Sequence, residues 1–95
     1  MNSHAFMESL KMIMPPPGLT PPLEALWWDA KGDWSRAHGR VDALETKEAM
    51  AVHAYLHRKQ GDQSNADYWY RRAGEQYRRT SLPEEWNALV AGLVG

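Results

Sequence analysis

An internal repeat with an offset of 29 residues constrains the fold of this chain more than any other feature. The repeat brings five pairs of identical residues into register: Ala25 and Ala54, Gly32 and Gly61, Asp33 and Asp62, Ser35 and Ser64, and Ala37 and Ala66. Each copy reads as a helix, a Gly-Asp corner and a second helix. Glycine accepts the left-handed backbone that ends a helix, and aspartate caps the amides of the next one. The repeat therefore predicts two helical hairpins.

The alanine four residues after each aspartate, Ala37 or Ala66, has almost no side chain. Because the distance between packed helices depends on the side chains at their contact, these alanines predict a close approach of two helices. Apolar residues recur at helical spacing in every segment of the main body, and no segment shows the period-two alternation of a half-buried strand. We predict an all-α fold.

The two ends of the chain predict further elements. Phe6, Leu10 and Ile13 have helical spacing and indicate either a short N-terminal helix or a frayed arm, which the prolines at 15–17 must end. Near the C-terminus, a Ser-x-x-Glu capping box begins an amphipathic segment. We expect an arm and proline-rich linker over 1–19 and a helical repeat domain over 20–95, divided into units 21–45 and 46–79 and a capping helix 82–94.

The spacing of small and aromatic residues in both units resembles the tetratricopeptide pattern. The first unit matches it through Ala25, Gly32, Asp33, Trp34 and Ala37. The second unit matches it through Ala54, Gly61, Asp62, Ala66, Tyr70 and Ala73, and the run from Ala66 to Ala73 is also similar to a Sel1-type repeat. The resemblance implies antiparallel hairpins stacked as a short array. It also implies a concave peptide-binding face with these residues: Leu26, Asp29, Glu48, Ala51, Tyr55, Arg58 and Lys59.

Composition limits the classes of partner. Eleven basic residues face twelve acidic ones, so the chain lacks the basic excess that favours nucleic-acid binding. It has no cysteine, which excludes disulfides and thiolate ligands and favours a reducing compartment. No apolar run approaches the roughly 20 residues that span a bilayer. We therefore expect a cytoplasmic protein with neither nucleic acid nor membrane as its partner.

Two histidines, His53 and His57, lie one helical turn apart on the third helix of the repeat domain. Such a pair either shares a metal or packs as structural side chains. A zinc site normally needs a third ligand, and the metalloprotease glutamate is missing between these two. No nucleophile elbow, phosphate loop or fixed carboxylate pair is present, so we expect no enzyme activity and no cofactor.

Adjacent aromatic residues cannot all face one side of a helix, so Trp27, Trp28 and Tyr68 are candidate interface anchors. The leading interpretation is a noncatalytic module that binds a protein or peptide, which the basic residues suggest is acidic. The first alternative is a self-assembling homodimer. The second is a small metal-binding protein or enzyme.

Overall fold

A computed structural model describes residues 1–74 and 80–94 of the chain. Within these residues all regular structure is helical, which confirms the all-α prediction. The last residues of the second predicted unit, 75–79, lie outside the described residues. The helices are α1 (Ser3–Ser9), α2 (Pro21–Ala30), α3 (Trp34–Val41), α4 (Lys47–Gln60), α5 (Gln63–Ala73) and α6 (Leu82–Leu93).

Both Gly-Asp corners have the predicted geometry. Gly32 and Gly61 have φ values of 84° and 90°, in the left-handed region where a side chain is strained. The carboxylates of Asp33 and Asp62 each accept a hydrogen bond from the backbone amide three residues later, at 3.0 and 3.3 Å. These corners join α2 to α3 and α4 to α5, and each pair of helices packs together.

The repeat alanines lie where the helices meet. Ala37 and Ala66 are both fully buried, in α3 and α5 respectively. Helix α4 is the centre of the packing, because it contacts α2, α3, α5 and α6.

Indole N–H groups connect the helices of the core. A buried N–H without an acceptor is costly, and four of the five tryptophans bond to a neighbouring group. The acceptors of these bonds are, in chain order, Ser9 Oγ for Trp27, Glu24 Oε2 for Trp28, the Leu56 carbonyl for Trp34 and the Leu26 carbonyl for Trp86.

The N-terminal segment packs on the same core as the repeat domain. Phe6 of α1 is fully buried, and its ring centroid lies 6.0 Å from that of Trp86. Helix α1 ends at Ser9, earlier than the apolar spacing suggested, and Ile13 is 88% exposed. The expectation that Ile13 continues the apolar stripe is wrong, because the chain leaves the helix before reaching it.

The C-terminal helix begins at the predicted capping box. The Ser81 hydroxyl accepts a hydrogen bond from the Glu84 amide at 3.2 Å and donates one to the Glu84 carboxylate at 2.9 Å. Helix α6 then packs on both α2 and α4, and it buries Trp86 and Val90 in the main core.

We expect Ala66→Leu to lower the free energy of unfolding by about 1–3 kcal/mol, since extra methylene groups in a packed contact force shifts of backbone and side chains. The matched control is Ala91→Leu, on the exposed face of α6, which should change stability by less than about 0.5 kcal/mol. Urea denaturation followed by circular dichroism measures both. Equal stability of the two variants would contradict the close approach at Ala66.

Candidate functional site

Three histidine side chains converge in the interior, between α3 and α4. His53 and His57 project from adjacent turns of α4, and His38 reaches them from α3. We call these three residues the histidine cluster. The Nε2 atoms of His38 and His53 are 3.0 Å apart, and one ligand nitrogen from each of the three rings lies within 4.8 Å of the others. The sequence predicted the pair on α4 as a weak metal candidate, and the structure adds the third nitrogen.

The cluster is buried on its α4 side and partly open on its α3 side. His53 and His57 are 3% and 7% exposed, whereas the side chain of His38 is 26% exposed. Solvent therefore reaches the cluster next to His38.

Two tryptophans form the walls of the cluster. Trp34 stacks on His38 with ring centroids 4.8 Å apart and planes 11° apart. Trp69 stacks on His53 at 4.1 Å and 23°. The N–H of Trp34 donates to the Leu56 carbonyl at 2.8 Å, which fixes that wall against α4. The imidazoles are thus held between indole faces.

Two of the histidines have a side-chain oxygen near their Nδ1 atom. His57 Nδ1 is 3.3 Å from the side-chain oxygen of Gln60. His38 Nδ1 is 3.9 Å from a carboxylate oxygen of Asp42. An outer oxygen on one ring nitrogen orients the imidazole and leaves the other nitrogen available as a ligand, which is how metal-bound histidines are usually supported.

The third histidine has an orphaned atom. His53 Nδ1 is buried and has no hydrogen-bond partner among the described residues. Buried polar atoms in folded proteins are nearly always paired, so this imidazole is held by its packing and by the contact of its Nε2 with His38 rather than by a full set of hydrogen bonds. Stability alone does not explain a buried imidazole with one unpaired nitrogen.

Burial and mutual repulsion keep two of these rings uncharged. Burial, followed by the positive charges that His38 and His57 would carry, lowers the pKa of His53 to about 4. Burial, followed by the charge of His57, also lowers the pKa of His38. At neutral pH both rings are neutral, and a neutral imidazole has the lone pair that a metal ligand requires.

The donor set and its spacing fit a divalent transition metal. Imidazole nitrogen suits zinc, copper, iron and nickel, whereas calcium and magnesium take oxygen ligands. Bonds of about 2.0 Å at tetrahedral angles place two ligand nitrogens about 3.3 Å apart. The His38–His53 separation of 3.0 Å is close to that value. The three ligand nitrogens are at most 4.8 Å apart. Rotation of the histidine side chains would bring them to the distance that a metal requires.

Several residues of the predicted peptide-binding face are buried. Leu26, Asp29 and Tyr55 are buried, with exposures of 0%, 3% and 2%. The Asp29 carboxylate accepts hydrogen bonds from the Tyr55 hydroxyl at 3.0 Å and from Lys59 Nζ at 2.8 Å. Burial of the Tyr55 side chain, followed by the negative charge of Asp29, raises the pKa of Tyr55. Asp29 and Tyr55 therefore pair with each other inside the molecule, and Leu26 belongs to the apolar core.

Helix α6 pairs with Arg58, another residue of this face. Arg58 Nη1 bonds to the buried carboxylate of Glu85 at 2.6 Å, and the hydroxyl of Tyr70 donates to the same carboxylate. Ala51 is also buried, and of the predicted set Glu48 and Lys59 are exposed. The basic side chain that was expected to meet an acidic peptide is therefore bound to an acidic residue of the chain itself.

The candidate interface anchors fall into two groups. Trp27 and Trp28 are 0% and 7% exposed, with their rings edge to face at 5.0 Å, so neither is available as a surface anchor. Both belong to the core because α2 is covered by α1 and α6 as well as by its repeat partners. Tyr68 is 47% exposed and retains a surface position beside Arg72.

Sequence analysis missed His38. The chain has four histidines, and three of them lie in the repeat domain: His38, His53 and His57. That His38 joins the pair on α4 in this domain is the signal that would have drawn attention to it. Its distance of 15 residues from His53 gives no periodic cue, because the contact depends on how α3 lies on α4.

Comparisons with protein-family models, with curated proteins and with solved structures give no match to this chain. In residues 1–74 and 80–94, no helix combines the length and apolar character needed to cross a membrane. The geometry of the histidine cluster is therefore the basis for inferring a function.

We expect acidification to destabilise the metal-free protein through His53. Between pH 6.5 and 4 the unfolded chain binds a proton at this residue that the folded chain does not, so stability falls as the pH falls. The pKa of about 4 corresponds to a loss of about 2 kcal/mol between pH 7 and pH 5. Urea denaturation at the two pH values measures it.

His53→Gln should reduce this pH dependence, whereas His4→Gln, at an exposed position of α1, should leave it unchanged. An unaltered slope in His53→Gln would contradict the assignment.

Proposed function

We propose that this chain is a helical metal-binding protein whose site is the histidine cluster. The observation that carries the proposal is the convergence of three imidazole nitrogens, from two helices, within 4.8 Å of one another. The proposal develops the second alternative from the sequence, because the third ligand missing there is supplied by His38.

A purely structural role explains the cluster less well. Apolar side chains would fill the space between two tryptophans without the cost of burying polar nitrogens. Three histidines instead bring at least one unsatisfied buried atom, His53 Nδ1, and repel one another when protonated. A divalent cation binds the lone pairs of uncharged imidazoles, so it would hold the three rings together without protonating them.

Zinc is the metal that the cluster fits best. Its tetrahedral sites accept three histidines, and its lack of geometric preference tolerates ligands placed by helix packing. The side-chain oxygens of Gln60 and Asp42 would orient His57 and His38. The chain's own role is to hold three imidazoles in place beside the indole walls.

The tetratricopeptide-like arrangement is also part of the proposal. Two helix pairs with equivalent Gly-Asp corners and equivalent buried alanines support a relation as consecutive units. In this arrangement the second helix of the first unit, α3, lies against the first helix of the second, α4. The metal site would then lie between units and would join them.

Metal binding by the purified full chain tests the proposal. We expect one Zn²⁺ per chain in a competition titration with a chromophoric chelator. We also expect a thermal stabilisation that grows with zinc concentration, by about 2.7 kcal/mol at a hundredfold excess over Kd. Because His38 is partly exposed, His38→Ala should keep the fold and weaken binding at least about 100-fold, more than the 10–100-fold typical of losing an outer-shell partner.

The matched control is His4→Ala, which removes the fourth histidine of the chain at an exposed position. It should bind zinc as the wild type does. If zinc binding is absent from the wild type, or is equal in His38→Ala and the wild type while both are folded by circular dichroism, the proposal is wrong.

A further inference from the structure

The histidine cluster supplies three ligands, and a tetrahedral metal takes four. Among the described residues, the group of metal-ligating side chains that comes together here contains His38, His53 and His57 and no fourth member. Zinc sites that close a structure are four-coordinate with protein ligands, whereas sites with three protein ligands hold an exchangeable molecule in the fourth position.

The nearest carboxylate does not occupy that position. Asp42 lies 3.9 Å from Nδ1 of His38, and the Nε2 of the same ring faces His53. The carboxylate is therefore on the outer side of the ring, where it orients His38. Its own side chain is 47% exposed, which is unlike a ligand drawn into the interior.

Access to the fourth position follows from the asymmetry of burial. His53 and His57 are nearly covered, while the His38 side chain is 26% exposed. The part of the cluster next to α3 is thus within reach of solvent and of small solutes, and the indole face of Trp34 borders it.

Charge determines what kind of solute is favoured. Imidazole ligands donate lone pairs but no negative charge, so a divalent ion bound by three of them keeps its full double charge in a largely buried place. Such a charge is costly to bury unless it is compensated. An anion compensates half of it, and for the same reason a metal-bound water loses a proton readily.

We infer that the metal of the histidine cluster has one exchangeable coordination position, reached from the α3 side, that binds a small anion such as hydroxide, azide or a short carboxylate. This inference rests on the proposed metal site and goes beyond it, since a metal closed by four protein ligands would satisfy the proposed function equally well.

The test uses the full chain loaded with Co²⁺, which reports coordination through its visible absorption, and sodium azide as the anion. We expect a saturable change of the cobalt bands, with one azide bound per metal. Asp42→Asn should bind cobalt more weakly but, once loaded, should still take one azide per metal, because its carboxylate lies on the outer side of His38 and not at the metal. His4→Ala is the control that must behave as the wild type.

Two results would overturn the inference while leaving the metal site intact. One is a set of cobalt bands that requires His38 yet is insensitive to azide at every concentration that preserves the fold. The other is an azide response found in Asp42→Asn alone, which would show that Asp42 closes the site. Absence of cobalt bands from the wild type would instead refute the proposed function.

Discussion

The rest of the structure depends on the burial of helix α4 on all its faces. Every residue from Ala49 to His57 is buried, because α2, α3, α5 and α6 surround the helix. A helix in this position has no solvent-facing side to which polar groups can be assigned. Its polar side chains must find partners inside the molecule, and Tyr55 does so with Asp29. His53 and His57 meet each other, His38 and the tryptophan walls, which is why a polar site exists at the centre of this small domain.

Helix α6 covers part of the predicted concave face. It crosses α2 and α4, places Glu85 against Arg58 and Tyr70, and bonds the Trp86 N–H to the Leu26 carbonyl at 3.1 Å. A buried carboxylate is stable only when it is paired and hydrogen-bonded, so these contacts fix the position of α6 as firmly as its apolar stripe does.

The local features of the fold were predictable from the sequence, and the contacts between distant elements were not. Gly61 and Asp62 end one helix and begin the next through interactions within a few residues, and Ser81 and Glu84 do the same for α6. The burial of Ala66 followed from the repeat. From the sequence, Trp28 is a candidate anchor and Leu26 part of a binding face, because spacing along one helix does not show which distant elements cover it. His38 was missed for the same reason: a metal site assembled across two helices has no spacing rule linking all its members.

The central claim is that one metal ion is bound jointly by imidazoles from α3 and α4. X-ray absorption spectroscopy at the zinc edge of the loaded full chain measures this directly, because imidazole rings give a characteristic outer-shell scattering. The account predicts four light-atom ligands at about 2.0 Å, of which three are imidazoles, and two imidazoles when His38 is replaced by alanine. A zinc shell with fewer than two imidazoles, or one that is unaltered in the His38 variant, would contradict it.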